Sequence, residues 1–105
     1  MLGEFEQIVL LAILRVGDDA YGVAVRREIQ RQTGRDVTLA AVYTTLNRLE
    51  DKGLLESRTG EPTPLRGGRR KRYFEVTAAG QRTLRQSVSV LRQMARGLDV
   101  GWETP

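Results

Sequence analysis

The chain has 105 residues, of which 40% are hydrophobic and 29% charged, so it is long enough for one globular domain with a modest core. It contains no Cys and no His, which excludes disulfides, thiolate nucleophiles, imidazole bases and most transition-metal ligands other than carboxylates. No GxxxxGK(S/T) or GxGxxG phosphate-binding motif occurs. We therefore predict that the protein is not an enzyme and has no catalytic residue, metal ion or cofactor.

The first predicted element runs from Phe5 to Val16 and is apolar on nearly every side. Its longest unbroken apolar run, Ile8–Leu14, is far shorter than the ~20 residues that span a membrane. The N-terminus also lacks the basic region and apolar stretch of a secretion signal. We expect a cytoplasmic protein with no membrane partner.

A helix that is apolar all round is normally enclosed by protein all round, and a chain this short covers only about half of it. The segment could be a buried strand, a central core helix, or a helix with one face against a second subunit. We favour the last interpretation and expect Leu10 and Leu14 to lie in the contact between subunits.

A helix-turn-helix follows a turn at Gly17–Asp19. The second helix is predicted over Tyr21–Thr33, with Gly34 placed to end it. A third helix is predicted to begin after its N-cap, Thr38, and to end at Gly53. Its apolar residues, spaced to form one buried stripe, are Leu39, Val42, Leu46 and Leu49. Two such helices joined by a tight turn containing glycine are typical of a helix-turn-helix.

A hairpin with a basic loop comes next. Strands are predicted at Leu54–Arg58 and Lys71–Val76, with a loop over Thr59–Gly68 between them. Five of the seven residues from Arg66 to Arg72 are cationic, whereas the other 12 cations nearly balance the 13 anions. Such a cluster suits phosphate neutralisation on duplex DNA. The alternative is a solvated loop that protects an exposed strand edge.

The third helix could read the DNA bases, because its polar face has small residues near its N-terminal end and longer polar ones beyond. The candidate DNA-binding residues on the helix and the basic hairpin are Thr38, Tyr43, Thr44, Asn47, Arg48, Arg69, Arg70 and Lys71. For Tyr43 the alternative is simple packing. For Arg48 it is a pair with Glu50 or Asp51 in the same helix.

The last predicted helix, Ala78–Arg96, follows the N-cap Thr77. Its apolar residues are spaced 4, 3, 4 and 3 as in a coiled-coil seam, which favours pairing between subunits. The alternative is that this helix folds back onto the first one. The candidate dimerisation residues are Leu10, Leu14, Leu84, Val88, Leu91, Ala95 and Leu98.

The order of elements predicts a mostly helical α+β protein: a winged helix-turn-helix with a C-terminal dimerisation helix. We place the winged-helix DNA-binding domain at residues 1–76. The dimerisation helix and tail then occupy residues 77–105.

Over roughly residues 2–85 the chain resembles the PadR family of bacterial transcription regulators. The segments that carry the resemblance are Leu2–Glu6, Tyr21-Gly22, Ala41–Leu54, Gly67–Phe74 and Val76–Gly80. The resemblance implies a homodimeric, usually repressing protein that binds an inverted repeat of double-stranded DNA. It also implies that the third helix enters the major groove, the wing meets the backbone or minor groove, and the first and last helices form the dimer.

Carried over to this chain, the resemblance places Tyr43, Thr44 and Arg48 on the reading helix and Arg69, Arg70 and Lys71 on the wing. Many members have proline where this chain has Thr44, so contacts at the start of the helix are expected to differ. With one C-terminal helix, the chain is similar to the compact branch of the family. Some compact members bind flat apolar drugs beside a tryptophan, which makes Trp102 a candidate contact for a small apolar effector, with dimer packing or disorder as the alternative.

Two other functions compete with DNA binding. An RNA-binding or ribosome-associated module could use the same basic hairpin, although Tyr73-Phe74 is the only adjacent aromatic pair available to stack on bases. A protein-interaction adaptor could retain the helix-turn-helix after losing DNA binding.

Overall fold

The computed structural model describes residues 2–60 and 70–98. These residues form helices α1 (Glu4–Val16), α2 (Gly22–Thr33), α3 (Leu39–Asp51) and α4 (Ala78–Ala95) and strands β1 (Leu55–Thr59) and β2 (Arg72–Val76). The two strands are antiparallel, with Leu55 opposite Val76. This order confirms the predicted winged helix-turn-helix with a C-terminal helix. In the described part of the chain, none of the helices combines the length and the apolar character that a membrane crossing requires.

The ends of the helices follow the predicted local signals. Gly34 ends α2 with a φ of 72°, a left-handed conformation that favours glycine, and its N–H donates to the carbonyl four residues earlier at 2.8 Å. Thr38 and Thr77 are the N-caps of α3 and α4. Each threonine hydroxyl accepts a hydrogen bond of 3.0 Å from the backbone N–H three residues later.

The hydrophobic core lies where α1, α2, α3 and the hairpin meet. Its fully enclosed side chains come from all of these elements and include Val9, Leu10, Val25, Ile29, Val42, Leu46, Leu49 and Leu55. The apolar stripe predicted for α3 is therefore correct over its last three members. It is wrong for Leu39, which is 37% exposed because, as the first residue of α3, it lies at the rim of the core.

Only the first half of α4 packs against this core. Gly80 and Leu84 are buried and Val88 is partly buried. Further along, Leu91 and Leu98 are 62% and 55% exposed. The predicted seam is therefore divided, with the fold-back alternative correct for its first half and an uncovered apolar surface in its second half.

Two residues predicted to lie between subunits belong to the chain's own core instead. Leu10 is fully buried and Leu84 is 4% exposed, so neither side chain is available at the surface. The physical reason is that a helix that is apolar all round must give one face to its own core. The outward apolar residues of α1 are Leu11 and Leu14, at 42% and 45% exposed.

A close backbone contact fixes the start of α4 against the hairpin. The Leu54 carbonyl accepts a 3.1 Å hydrogen bond from the Thr77 N–H, and the Thr77 hydroxyl donates to the Gly53 carbonyl at 2.8 Å. A Cβ atom on Gly80 would collide with the Leu54 carbonyl oxygen and lie 2.8 Å from Val76 Cγ1. Glycine is therefore required for α4 to approach this closely.

Candidate nucleic-acid interface

One face of α3 is turned away from the core along the whole helix. The exposed residues on it are Ala40, Ala41, Thr44, Asn47, Arg48 and Asp51. The two alanines lie in the first turn, where they allow close approach of another molecule, and the longer polar side chains follow. Thr38, at the N-cap, is also exposed. The structure thus brings together four of the predicted site residues: Thr38, Thr44, Asn47 and Arg48.

Tyr43 lies between the core and solvent, as expected, and its ring packs against the start of α2. The side chain is partly buried against the core. A Cβ atom on Gly22 would lie only 2.5 Å from the Tyr43 hydroxyl oxygen, so the ring occupies the space that a side chain at position 22 would need. Packing is therefore one role of Tyr43, and the contact fixes the ring relative to both helices of the helix-turn-helix.

Cations at the C-terminal end of α3 have different surroundings. Lys52 Nζ donates to the Glu6 carboxylate at 2.8 Å and so ties this end of α3 to α1. Burial acts to raise the pKa of Glu6, but hydrogen bonds from Lys52 and the Gly3 N–H and the charges of Lys52 and Arg48 together lower that pKa from its ordinary value. Arg48 is exposed and has no ion-pair partner among residues 2–60 and 70–98, so the predicted alternative of an intrahelical pair is not seen there.

Ion pairs and hydrogen bonds also fix the turn between α2 and α3. Arg26 Nε donates to the Val37 carbonyl at 2.7 Å, and the same guanidinium lies 3.4 Å from the Asp36 carboxylate. Arg35 pairs with Glu4 of α1 at 3.0 Å. These contacts hold α3 at a defined angle to the rest of the domain, which a helix that reads a groove requires.

The described part of the basic cluster includes two exposed cations, Arg70 and Lys71. Lys71 Nζ lies 4.3 Å from the centre of the Tyr21 ring, a cation–π contact that still leaves the ammonium at the surface. Arg69 of the predicted site, together with Arg66, lies outside the described residues. The same is true of Trp102, the candidate effector contact.

The aromatic residues of the hairpin have structural roles. Phe74 is 3% exposed, and its N–H donates to the Ala20 carbonyl at 2.9 Å. The ring of Tyr73 meets that of Tyr21 edge to face at 5.9 Å, and the Arg58 guanidinium lies 4.7 Å from the centre of the Tyr73 ring. The Phe74 ring is therefore unavailable for base stacking and the Tyr73 ring is already in contact with Tyr21 and Arg58, which counts against the RNA-binding alternative.

Arg72, the last cation of the basic cluster, turns back towards α3. Its Nε donates to Ser57 Oγ at 3.1 Å, one terminal nitrogen donates to Asn47 Oδ1 at 3.1 Å, and the other pairs with the Glu50 carboxylate. Ser57 Oγ in turn donates to Glu50 at 2.6 Å. We call Asn47, Glu50, Ser57 and Arg72 the helix–wing network. Arg72, which was not among the predicted DNA-binding residues of the wing, is therefore a cation of the cluster that binds within the domain.

Sequence reasoning missed Glu50, Ser57 and Arg72 as a group. The closest pair among them is separated by 7 residues and the Asn47–Arg72 pair by 25, so no local spacing reveals the network. The only available signal was an acidic residue on the third helix followed by a hairpin rich in arginine. That signal does not say which arginine pairs with the carboxylate.

An amphipathic helix that exposes a polar face beside a cationic hairpin is typical of DNA-binding proteins of the winged-helix class. The chain matches the model of the Transcriptional regulator PadR-like family over residues 10–86, and it belongs to this family. The resemblance drawn from the sequence is confirmed. The family consists of transcription regulators rather than enzymes, in agreement with the expectation from composition.

Solved structures of similar proteins have the same fold. A transcriptional regulator from Clostridium thermocellum is 22% identical and matches 87% of this chain and 85% of its own, with a TM-score of 0.71. A PadR family regulator from hypervirulent Clostridium difficile is 23% identical and matches 88% of this chain and 92% of its own, with a TM-score of 0.69. F93 from STIV, a winged-helix DNA-binding protein, is 16% identical and matches 94% of this chain and 99% of its own, with a TM-score of 0.71.

Proposed function

We propose that this regulator is a cytoplasmic repressor that binds a specific inverted-repeat operator as a homodimer. The observation that carries the proposal is the exposed face of α3, with Thr44, Asn47 and Arg48, in a domain whose hairpin exposes the cations Arg70 and Lys71. Duplex DNA presents the two complementary features, base edges in a groove and a line of phosphates.

In the proposed complex, α3 lies in the major groove. The small side chains of Ala40 and Ala41 let the start of the helix enter deeply, so that Thr44, Asn47 and Arg48 reach base edges or flanking phosphates. Arg70 and Lys71, together with Arg69, neutralise phosphates, and the Tyr43 hydroxyl contacts the backbone from the edge of the helix.

The proposed dimer uses the apolar surface that one chain leaves uncovered. On α1 this surface comprises Leu11 and Leu14, and on and just beyond α4 it comprises Val90, Leu91, Met94 and Leu98. Exposed apolar side chains concentrated on two helices are typical of a protein-interaction surface. A twofold pair of chains would present two copies of α3, matching the symmetry of an inverted repeat.

The salt dependence of binding tests the phosphate contacts. Affinity for an operator fragment is measured by fluorescence anisotropy at several salt concentrations, starting with the DNA upstream of the protein's own gene. Replacing both Arg70 and Lys71 with alanine removes four cations per dimer and should make the slope of log K against log salt shallower by about 3 to 4.

The charge-matched control replaces Arg82 and Arg85, exposed residues of α4. This control should leave the slope nearly unchanged. An equal change in both double variants would remove the hairpin from the proposed interface. Equal affinity of the unmodified protein for the operator and a scrambled duplex would contradict sequence-specific binding.

A further inference from the structure

We propose that the NH₂ group of Asn47 donates to acceptor atoms on the edge of a guanine and so distinguishes guanine from adenine. Arg72 is the positioning residue that holds the Asn47 amide in the orientation this requires. The inference rests on the proposed insertion of α3 in the major groove. It goes further in assigning a chemical preference to one side chain of that helix and in naming the wing residue that imposes it.

The orientation of the Asn47 amide follows from the chemistry of its neighbour. A guanidinium has only donors, so the Asn47 atom that faces Arg72 at 3.1 Å must be the carbonyl oxygen Oδ1. The Asn47 NH₂ group then lies on the other side of the amide, and the residue as a whole is exposed. The remaining polar partners of Arg72, Ser57 and Glu50, prevent the guanidinium from turning away.

Several contacts besides the one to Asn47 hold Arg72 in this arrangement. Glu50 receives hydrogen bonds from both Arg72 and Ser57, and its side chain is only 29% exposed. The guanidinium also lies 4.8 Å from the centre of the buried Phe74 ring. Arg72 is therefore held by contacts to α3, β1 and its own strand, and rotation of Asn47 would leave an N–H of Asn47 facing an N–H of Arg72.

The locked amide has a consequence for base recognition. An asparagine that is free to choose its orientation pairs with adenine, because its oxygen accepts from adenine N6 while its NH₂ donates to N7. In this protein the oxygen is already occupied and stands beside a positive charge, so only the NH₂ donors face outwards. The major-groove edge of guanine offers two acceptors, N7 and O6, whereas adenine places its N6 donor where guanine has O6.

The first test compares operators in which each base pair of the half-site is changed in turn, with binding of the full-length protein measured by anisotropy. At one position per half-site the unmodified protein should prefer guanine over adenine by roughly tenfold or more. Asn47→Ala should abolish the preference at that position and leave the other positions unchanged. Arg72→Gln should shrink the guanine-to-adenine ratio there, because the freed amide can then also pair with adenine.

Arg72→Lys supplies a second variant that retains the positive charge but lacks the planar guanidinium whose three nitrogens reach Ser57, Asn47 and Glu50 separately, and it should shrink the same ratio. Arg85→Gln, on the exposed side of α4, is the matched control and should not change it. A preference for adenine at the Asn47-dependent position would overturn the proposal. So would Arg72 variants that weaken all operators equally, since that result would assign Arg72 a structural role only.

A second measurement tests the locked amide without DNA. Asn47 is the only asparagine of the chain, so protein labelled with ¹⁵N-asparagine gives a single side-chain NH₂ signal pair. Its heteronuclear NOE should show an ordered amide that becomes mobile in Arg72→Gln. A mobile amide in the unmodified protein would overturn the inference while leaving DNA binding intact. An ordered amide in a protein that binds no duplex would instead overturn the proposed function, and the base-reading role with it.

Discussion

Replacing Gly80 with alanine should destabilise the protein, although alanine is the better helix residue. Helix propensity alone predicts that the change stabilises α4 by up to about 1 kcal/mol. Packing predicts the opposite, because the new Cβ atom would collide with the Leu54 carbonyl oxygen and lie 2.8 Å from Val76 Cγ1. The Leu54 carbonyl cannot move aside freely, since it accepts a 3.1 Å hydrogen bond from the Thr77 N–H.

The packing effect should be the larger of the two. Overpacking in a well-filled site costs roughly 1–3 kcal/mol, and weakening the Thr77 hydrogen bond costs about 1 kcal/mol more. After subtraction of the gain in propensity, we expect a net loss of about 2 kcal/mol in the free energy of unfolding. With a urea m-value of about 2 kcal/mol/M, the midpoint of unfolding should fall by roughly 1 M.

The assay is urea unfolding followed by circular dichroism at one fixed protein concentration, because dimerisation would make stability depend on concentration. Ala78→Gly, at an exposed position two residues earlier, is the control and should cost no more than about 1 kcal/mol through propensity alone. A Gly80→Ala protein that is as stable as the original would refute the argument that backbone contact decides the residue at this position.

Three other substitutions test separate contacts. Glu6→Gln should lower stability by about 1 kcal/mol near neutral pH. Because folding lowers the pKa of this carboxyl, its contribution is present above the ordinary pKa and is lost as the pH falls through the lower folded value. The urea midpoints of the two proteins should therefore converge once the pH is below that folded value. Leu91→Glu should give monomers in light scattering and lose operator binding, whereas the control Gln93→Glu should remain dimeric. A dimeric Leu91→Glu protein would show that Leu91 does not lie in the contact between subunits. Gly22→Ala should displace the Tyr43 ring towards solvent and weaken operator binding at least about fivefold, measured under conditions where circular dichroism shows the variant to be folded. An unchanged affinity would show that Tyr43 is not part of the interface.

The parts of the fold that could be predicted from the sequence are those decided by neighbouring residues. Thr38 and Thr77 cap helices because a hydroxyl at that position meets a backbone N–H three residues away, and Gly34 ends a helix through its own dihedral angle. The alternation of polar and apolar residues also located the exposed face of α3. These signals act within one or two turns of chain, so no tertiary contact is needed to read them.

The errors concern contacts between residues that are distant in the sequence. Leu10 and Leu84 satisfied an apolar pattern, but the pattern does not say whether the second face belongs to the same chain or to another. Arg72 is one cation in a cluster of five, and only the folded hairpin brings it to Glu50. The prediction that Leu39 is buried was wrong for a related reason, because periodicity alone does not reveal how far along a helix the core extends.

The hydrogen bonds at the start of α4 connect DNA binding with the proposed dimer. Gly53 and Leu54, which follow the C-cap of α3, hold Thr77 through hydrogen bonds of 2.8 and 3.1 Å, so the direction of α4 is fixed relative to the reading helix. The helix has 18 residues, so a tilt of about 10° at its start would move its far end by about 5 Å. Paired half-sites demand a fixed separation of the two reading helices. Gly80→Ala should therefore weaken binding to a complete operator more than binding to an isolated half-site. Equal weakening of both would show that the contacts at the start of α4 do not set the spacing of the two reading helices.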